Sequence, residues 1–354
     1  MRFIHTGDIH LGATPESKRE WGKNRGDEIW NTFERLIREI KINPVDLLII
    51  SGDLFHRQPL LRELKEVDYL FSTIPETTVV LCAGNHDAIK KGSFYKDFKW
   101  SNNVLFLADK NIQKVDIPKL NLCVYGLSYH ENEITDALYD HIIVDETEKI
   151  NLLVAHGGDE KHIPINRRKV AMSGFDYVAM GHIHIPDIDE KNKMAYCGSL
   201  EPIDCGDVGE RGYISGILEK GHLDLEFIPF AKRNYMELTY TVNTKITNME
   251  LRHRLQDAIA EKGQDNMYMV ILDGYRNPDF EIYPSDIEAL GNIVSVQDIT
   301  VPDFDFEELY EENKDNILGM FIKKYLDKGE RTPMEQKTLY YGTKALMDAM
   351  EDKL

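Results

Sequence analysis

The sequence predicts a layered α/β protein that continues into a smaller α/β unit and a pair of C-terminal helices, and three features indicate this fold class. Five short runs rich in Ile, Val and Leu have the apolar character of strands buried on both faces. The length of 354 residues exceeds one typical domain. The pattern changes after about residue 230, where alternating and helical segments replace the apolar runs. The five runs are residues 2–6, 46–51, 78–83, 151–155 and 176–180.

A polar side chain of a type that binds metal ions follows each of the five runs. Parallel strands in open α/β folds place ligand sites at their carboxyl ends, so we expect these side chains to meet. Residues spaced i, i+2 in extended chain face the same side, which would let each closely spaced pair hold one ion. The candidates are Asp8 and His10, Asp53, Asn85, His156, and the pair His182 and His184.

The mixture of ligand types indicates the kind of metal. Imidazole, carboxylate and amide groups without thiolate suit Mn²⁺, Zn²⁺ or Fe²⁺ better than an all-oxygen Ca²⁺ or Mg²⁺ site. Mn²⁺ is our first choice, with Fe²⁺, Zn²⁺ and Mg²⁺ as alternatives. Seven candidates exceed the needs of one ion, and Asp53 can bridge two. Two ions about 3.5 to 4 Å apart can hold a hydroxide for in-line attack, which predicts hydrolysis at phosphorus.

Two further histidines are candidates for contact with a phosphate. His86 lies between Asn85 and Asp87, so it can protonate a leaving group or stabilise transition-state charge. His56 follows Asp53 by three residues. The alternative for His56 is a residue that lines the pocket or supports a ligand. Taken alone, Asp8 could equally be a turn or helix-capping residue.

The motifs resemble those of a known family. The blocks at residues 7–10, 52–53, 84–87, 155–157 and 181–184 are similar to those of calcineurin-like metallophosphoesterases. The sequence Phe55-His56-Arg57 and the segment 196–213 resemble the SbcD and meiotic-recombination-eleven nucleases. The resemblance implies a two-sheet α-β-β-α sandwich and a role in DNA double-strand-break repair.

The resemblance also implies roles for individual residues and partners. One ion would be held by Asp8, His10, Asp53 and His184, and the other by Asp53, Asn85, His156 and His182. His86 and His56 match the two catalytic or substrate-positioning histidines. Family members are Mn-dependent 3′-to-5′ exonucleases and single-strand endonucleases, partnered by a coiled-coil ATPase of the SbcC or Rad-fifty type. They commonly form homodimers. Pro202 departs from the family, since many relatives carry a basic residue there.

The charge of the chain argues against a nuclease. A formal net charge of −19 is unusual for a protein that binds a polyanion, because lysine and arginine supply most nonspecific DNA affinity. Short basic runs near the motifs could supply part of the DNA affinity. The alternative for each run is an ordinary solvated surface. A partner subunit would then supply much of the DNA contact. The basic candidates for substrate binding are Arg57, Lys90, Lys91, Arg167 and Arg168.

Three domains are predicted: residues 1–232 form the metal-binding domain, 233–302 a small α/β cap, and 303–354 a helix-loop-helix. A Ser-x-x-Glu sequence starting at Ser285 predicts a capping box in the cap, and Thr332 with Glu335 predicts another in the last helix. By resemblance the cap would guide DNA and the last segment would bind the ATPase. The alternatives are a stabilising appendage and helices that pack on their own domain.

The expected location is the cytoplasm. The four cysteines form no CxxC motif and are interpreted as reduced thiols. A predicted strand begins at Arg2, which leaves no room for a signal peptide, and no apolar run approaches ~18 residues. The resulting hypothesis is the DNA nuclease subunit of an SbcCD-like complex without membrane contact. The alternatives are a phosphodiesterase for nucleotides or other small phosphoesters, and a non-catalytic scaffold.

Overall fold

A computed structural model describes residues 1–145 and 148–351 of the chain. The chain divides into two compact units, Met1–Tyr235 and Met236–Leu354. Residues 352–354 of the predicted helical segment lie outside the described residues. Among the described residues, no helix combines the length and the apolar character that crossing a membrane requires.

The first unit contains two six-stranded sheets. The strands are β1 (Arg2–Thr6), β2 (Leu47–Ser51), β3 (Thr78–Cys82), β4 (Val104–Phe106), β5 (Gln113–Ile117), β6 (Leu122–Gly126), β7 (Ile150–His156), β8 (Tyr177–Gly181), β9 (Asp187–Asp189), β10 (Met194–Tyr196), β11 (Gly212–Glu219) and β12 (His222–Pro229). The first sheet has the order β12-β11-β1-β2-β3-β4 and the second the order β5-β6-β7-β8-β10-β9.

Strands β1 to β4 are parallel, as are β6, β7, β8 and β10, so the carboxyl ends within each of these sets point the same way. The five predicted apolar runs correspond to β1, β2, β3, β7 and β8. No end of a predicted run differs from the end of its strand by more than one residue. The layered two-sheet sandwich predicted from the sequence is thereby confirmed.

Alternation along the central strands explains why they are apolar on both faces. In β2, Leu48 and Ile50 pack in the core that the helices cover, whereas Leu47 and Ile49 pack in the core between the two sheets. Successive side chains of a strand point to opposite faces, so one run of four apolar residues serves two layers.

The helices of the first unit are α1 (Arg25–Ile42), α2 (Leu61–Ser72) and α3 (Arg167–Ala171), with short 3-10 turns between elements. Helix α1 buries Phe33, Leu36, Ile37 and Ile40, which recur at the helical period and pack on the outer face of the first sheet. A third core on the outer face of the second sheet includes Val170 of α3. The layers therefore follow the order α-β-β-α.

The second unit combines a small sheet with helices. Strand β13 (Tyr235–Val242) begins at the boundary and is followed by α4 (Asn248–Lys262), β14 (Met267–Arg276), α5 (Pro284–Glu288), β15 (Ile293–Asp298) and β16 (Val301–Pro302). The sheet order is β13-β14-β15, and β16 also pairs with β14. Three helices end the chain: α6 (Phe306–Glu312), α7 (Ile317–Leu326) and α8 (Pro333–Glu351).

The two predicted capping boxes have different outcomes. The one at Thr332 is confirmed, because its backbone N–H donates to Glu335 at 3.0 Å and its hydroxyl accepts from the Glu335 N–H at 3.3 Å. The one at Ser285 is wrong. Helix α5 begins one residue earlier at Pro284, whose fixed φ suits the first helical position, and its N-cap residue Tyr283 makes no side-chain cap.

Candidate metal centre

The predicted ligands lie at or just beyond the carboxyl ends of β1, β2, β3, β7 and β8. Four of them have left-handed backbone conformations: Asp8 (φ 47°), His10 (φ 52°), Asp53 (φ 47°) and His182 (φ 90°). Such angles cost energy in non-glycine residues and recur at functional sites, where surrounding structure enforces them. The chain therefore turns sharply at the strand ends and directs these side chains to one place.

The structure brings the other six predicted ligands together around Asp53. The same Oδ2 atom of Asp53 lies 3.8 Å from His10 Nε2 and 3.5 Å from His156 Nε2. On the first side, His10 Nε2 and His184 Nε2 are 3.1 Å apart.

On the other side of Asp53, the Asn85 Oδ1 atom lies 2.9 Å from His156 Nε2 and 3.2 Å from His182 Nδ1. Asp8 Oδ2 accepts a hydrogen bond from the His182 backbone N–H at 2.8 Å. Asn85, His156 and His182 therefore form a second group of nitrogen and oxygen ligand atoms beside Asp53.

The donor set fits divalent metal ions. Asp8, His10, Asp53 and His156 are fully or almost fully buried, although buried charged and polar groups are costly unless a partner compensates them. Asp8, His10 and His184 offer ligand atoms within 4.8 Å of one another, and so do Asp8, Asp53 and His156. Imidazole and carboxylate groups in these combinations are typical ligands of Mn²⁺, Fe²⁺ and Zn²⁺.

Two glycines make room for the ligands. A Cβ on Gly52 would lie 2.3 Å from His156 Nδ1, and Gly52 also has a positive φ of 94°. A Cβ on Gly84 would lie 2.2 Å from Asp53 Oδ1. Any side chain at either position would displace a ligand, which is a physical reason for glycine in both motifs.

Electrostatics at the site depends on burial and on the mixture of charges. Burial raises the pKa of Asp8 to about 6, against the opposing effect of His156. Burial disfavours the charged form of His156, but the carboxylates of Asp53 and Asp8 outweigh this and raise its pKa to about 9. For His184, Asp207 and Asp8 likewise overcome burial and raise the pKa to about 9. Without a metal ion, protons on these two histidines balance the carboxylates.

His86 and His56 lie beside this cluster. The His86 backbone N–H donates to Asp53 Oδ1 at 2.9 Å, and its Nδ1–H donates to the His56 carbonyl at 3.1 Å. The two rings stack with centroids 5.0 Å apart. His56 Nδ1 lies 3.3 Å from His10 Nδ1. His86 is solvent-exposed, so its free Nε2 can meet a substrate.

Sequence analysis missed the residues that hold the ligands in place. Asp87, which follows His86, is buried and accepts hydrogen bonds from the Gly84 N–H and the Tyr95 hydroxyl, both at 2.8 Å. Asp159 contacts His182, and Asp207 contacts His184. Asp159 follows His156 by three residues, and Asp207 lies in the segment 196–213, so nearness to the motifs was the available signal.

The basic candidates differ in their pairing. Arg57 forms an ion pair with Glu63 at 2.6 Å, and Arg167 forms one with Asp187 at 2.6 Å. Within 1–145 and 148–351, the structure assigns no ion pair to three exposed basic residues, namely Lys90, Lys91 and Arg168. These three keep their charge available for an anionic ligand.

Comparison with known proteins relates this geometry to a family. A sequence model described as calcineurin-like phosphoesterase matches residues 1–186. The chain is 27% identical over 226 residues to the DNA double-strand break repair protein Mre11 of Methanopyrus kandleri, covering 57% of this chain and 49% of that protein. It is 28% identical over 221 residues to the Mre11 protein of Methanocaldococcus jannaschii, covering 57% of each chain.

The chain thus spans about half the length of the curated relatives it matches. The matched region contains strands β1 to β8 and the turns that position Asp8, Asp53, Asn85, His156 and His182. Because the family model covers more than half of the 354 residues and the structure has the two-sheet sandwich, the chain belongs to the calcineurin-like phosphoesterase family.

Proposed function

We propose that this chain is a metal-dependent DNA nuclease that hydrolyses phosphodiester bonds in double-strand-break repair. The observation that carries the proposal is the convergence of six ligand-type side chains on a seventh, Asp53, beside the stacked rings of His56 and His86. The similarity to two Mre11 proteins supports DNA as the substrate.

In this proposal one ion is held by Asp8, His10, Asp53 and His184, and the other by Asp53, Asn85, His156 and His182. Mn²⁺ is the proposed metal. When bound, two such ions act as Lewis acids that activate water and neutralise charge on a phosphate. Asp53 Oδ2 faces both groups of nitrogen donors, which supports its role as the bridging ligand.

His86 is the proposed proton donor to the leaving oxygen. Its Nδ1–H donates to the His56 carbonyl, which fixes the ring and leaves Nε2 as the atom that carries and releases a proton. The His56 ring stacks on His86 and has its Nδ1 next to His10, so its Nε2 faces away from the ligand cluster. His56 would then position the phosphate through a hydrogen bond from Nε2.

Lys90, Lys91 and Arg168 are the proposed contacts to the DNA backbone, since the structure assigns them no ion pair within the described residues. Arg57 and Arg167, also predicted for this role, would have to exchange their carboxylate partners for a phosphate. With a net charge of −19, three lysine and arginine residues supply little DNA affinity. We therefore propose that a partner provides the remaining contact.

The proposed partner is a coiled-coil ATPase of the SbcC or Rad-fifty type, bound by the C-terminal helices. Large apolar side chains are exposed on α7 and α8, as expected for helices that bind a partner. Residues 233–302 would form the DNA-guiding cap, and the first unit would form the homodimer known in the family. The exposed set is Ile317, Met320, Met334 and Tyr341.

A second candidate function is hydrolysis of nucleotides or other small phosphoesters. The net charge of −19 favours it, because a small substrate needs no extended basic surface. The same metal ligands would serve both reactions, so the two candidates differ in the substrate that reaches them.

The test compares Mn-dependent cleavage of linear duplex DNA, single-stranded DNA and bis-p-nitrophenyl phosphate by the wild type and His86→Ala. The matched control is His222→Ala, which removes an exposed histidine on β12 of the first unit. We expect DNA cleavage by the wild type and by the control, and a loss of about 10²- to 10⁴-fold in His86→Ala.

Turnover of only the small ester, with the ATPase present or absent, would favour the second candidate. No cleavage of any substrate by metal-loaded protein would contradict both and favour a scaffold.

A further inference from the structure

His182 and His184 turn different ring nitrogens towards the donor cluster. His182 presents Nδ1, which lies 3.2 Å from Asn85 Oδ1. His184 presents Nε2, which lies 3.1 Å from His10 Nε2. Two histidines only two positions apart thus need opposite tautomers in order to offer a lone pair to a metal ion. The backbone of the segment alone does not select a tautomer.

The outward nitrogen of His182 donates to Asp159 Oδ2 at 2.8 Å. Backbone N–H groups of Lys161 and His162 donate to the other oxygen, Oδ1, at 2.8 and 2.9 Å and hold this carboxylate in a turn. The ring of His162 also donates to it, with Nδ1 at 2.9 Å from Oδ1. The orientation of Asp159 is therefore set by its own loop, independently of His182.

The outward nitrogen of His184 donates in the same manner to a second aspartate. His184 Nδ1 lies 3.1 Å from Asp207 Oδ1. The backbone N–H of Ile203 donates to Asp207 Oδ2 at 2.8 Å, and Arg211 Nη2 lies 3.8 Å from Oδ1. Asp207 is almost fully buried, and its loop also sets its orientation.

We propose that Asp159 and Asp207 are positioning residues that fix the tautomers and ring planes of His182 and His184. A carboxylate can only accept, so each aspartate keeps the proton on the outward nitrogen and the lone pair on the inward one. Outer carboxylates of this kind raise ligand basicity and hold the ring for the metal. The inference rests on the metal site of the proposed function and assigns one outer aspartate to each ion.

The two aspartates differ in burial and in the number of their partners. Asp207 is buried beside Arg211, whereas the Asp159 side chain is 46% exposed and shared with His162. Water can replace Asp159 more easily than Asp207. The substitution of Asp207 is therefore expected to have the larger effect on its histidine.

The experiment measures metal binding by Asp159→Asn and Asp207→Asn in the full chain. Each has a control in the same loop: Glu160→Gln for the first and Asp204→Asn for the second, both exposed. Calorimetric titration with Mn²⁺ is expected to show one of the two ions bound about 10- to 100-fold more weakly in each variant, and no change in the controls.

Long-range ¹H–¹⁵N spectra of the histidine rings in Zn²⁺-loaded protein report the tautomer directly. In the wild type, His182 is expected to be protonated at Nε2 and His184 at Nδ1. Asp159→Asn should alter the His182 signals alone, and Asp207→Asn the His184 signals alone. A purely structural role would change the melting temperature without this selective change.

Unchanged metal affinity and unchanged tautomers in both variants would overturn the proposal. The melting temperature of metal-free protein is measured first, because Asp207 also accepts a backbone hydrogen bond. If Asp207→Asn does not fold, the result for Asp159→Asn decides. Wild-type protein that binds metal but cleaves no DNA would refute the nuclease function and leave the positioning roles standing.

Discussion

The two units of the chain bury and expose opposite kinds of side chain. The first unit buries Asp8, His10, Asp53 and His156. The second exposes large apolar side chains on its last helices, such as Met320 and Met334, which are 70% and 74% accessible. Buried charges and exposed apolar surface are both unfavourable in an isolated protein. Under the proposed function a cation would compensate the buried charges of the first unit, and an apolar partner surface would cover the exposed side chains of the second.

The surrounding structure constrains the buried carboxylates of the first unit more strongly than the exposed apolar residues of the second. The buried carboxylates sit in turns with left-handed backbone angles and close glycine contacts, so few alternatives would fit. The exposed apolar residues have no such constraint. Isolated apolar residues at a surface are common, whereas a cluster of buried ionisable groups is rare. The buried cluster of the first unit is therefore stronger support for a ligand than the exposed apolar residues of the second unit are for a partner.

The largest expected effect is that of Asp53→Asn. Asp53 is the proposed bridging ligand, so its replacement should remove bound metal and lower turnover of bis-p-nitrophenyl phosphate about 10³-fold or more, since metal ions contribute several kcal/mol. Metal analysis after dialysis and steady-state rates measure this, with exposed Asp257→Asn of the second unit as control. Retention of both metal and activity would show that the buried charges of the first unit do not serve a cation.

The next effect concerns stability in the first unit. Glu28 is buried and accepts from Arg25 at 2.7 Å and from Lys232 at 3.1 Å, and it also pairs with Arg233. Glu28→Gln should lower the free energy of unfolding by about 3 to 5 kcal/mol, because it takes the carboxylate partner away from the buried Arg233, while Arg25 keeps a second carboxylate, Glu201, at 3.2 Å. Urea denaturation measures the change. Exposed Glu39→Gln, on the same helix, should stay close to the wild type.

Metal affinity should depend on pH. His156 and His184 have pKa values raised to about 9 in metal-free protein, and metal binds only their neutral rings. Below about pH 9 both rings carry an extra proton that Mn²⁺ must displace in order to bind. Mn²⁺ affinity should therefore fall as pH falls, by up to about tenfold per pH unit for each proton displaced. Calorimetry in buffers of different ionisation enthalpy counts the protons. Affinity independent of pH between 6 and about 9 would contradict this account.

The smallest effect on stability is expected in the second unit. Met320→Ser should change the free energy of unfolding by less than about 0.5 kcal/mol, because this side chain is exposed. Ile322→Ala, on the same helix but fully buried, should cost about 2 to 5 kcal/mol. Thermal melts compare the two variants. If Met320→Ser binds the ATPase in co-purification as well as the wild type does, the exposed face has another explanation.

Much of the first unit could be predicted from local sequence. A strand such as β2 has four consecutive apolar residues because it faces two cores, and Gly52 and Asp53 follow its end. The local sequence predicted the second unit less well. The segment 303–351, predicted as part of a helix-loop-helix, contains three helices, because the chain stops and restarts between α6 and α7. There the Asn316 side chain caps the new helix by accepting from the Leu318 N–H at 2.9 Å.

The sequence by itself determined the layered fold, the set of candidate ligands and the family resemblance, because strand periodicity and ligand chemistry are local properties of the chain. Only the tertiary structure decided which nitrogen each histidine turns inward. The aspartates concerned, Asp159 and Asp207, are 23 residues from their histidines, and hydrogen bonds across such distances leave no periodic signal. Folding also decided that Arg57 is paired while Lys90 is not, since pairing depends on which side chains the loops bring together.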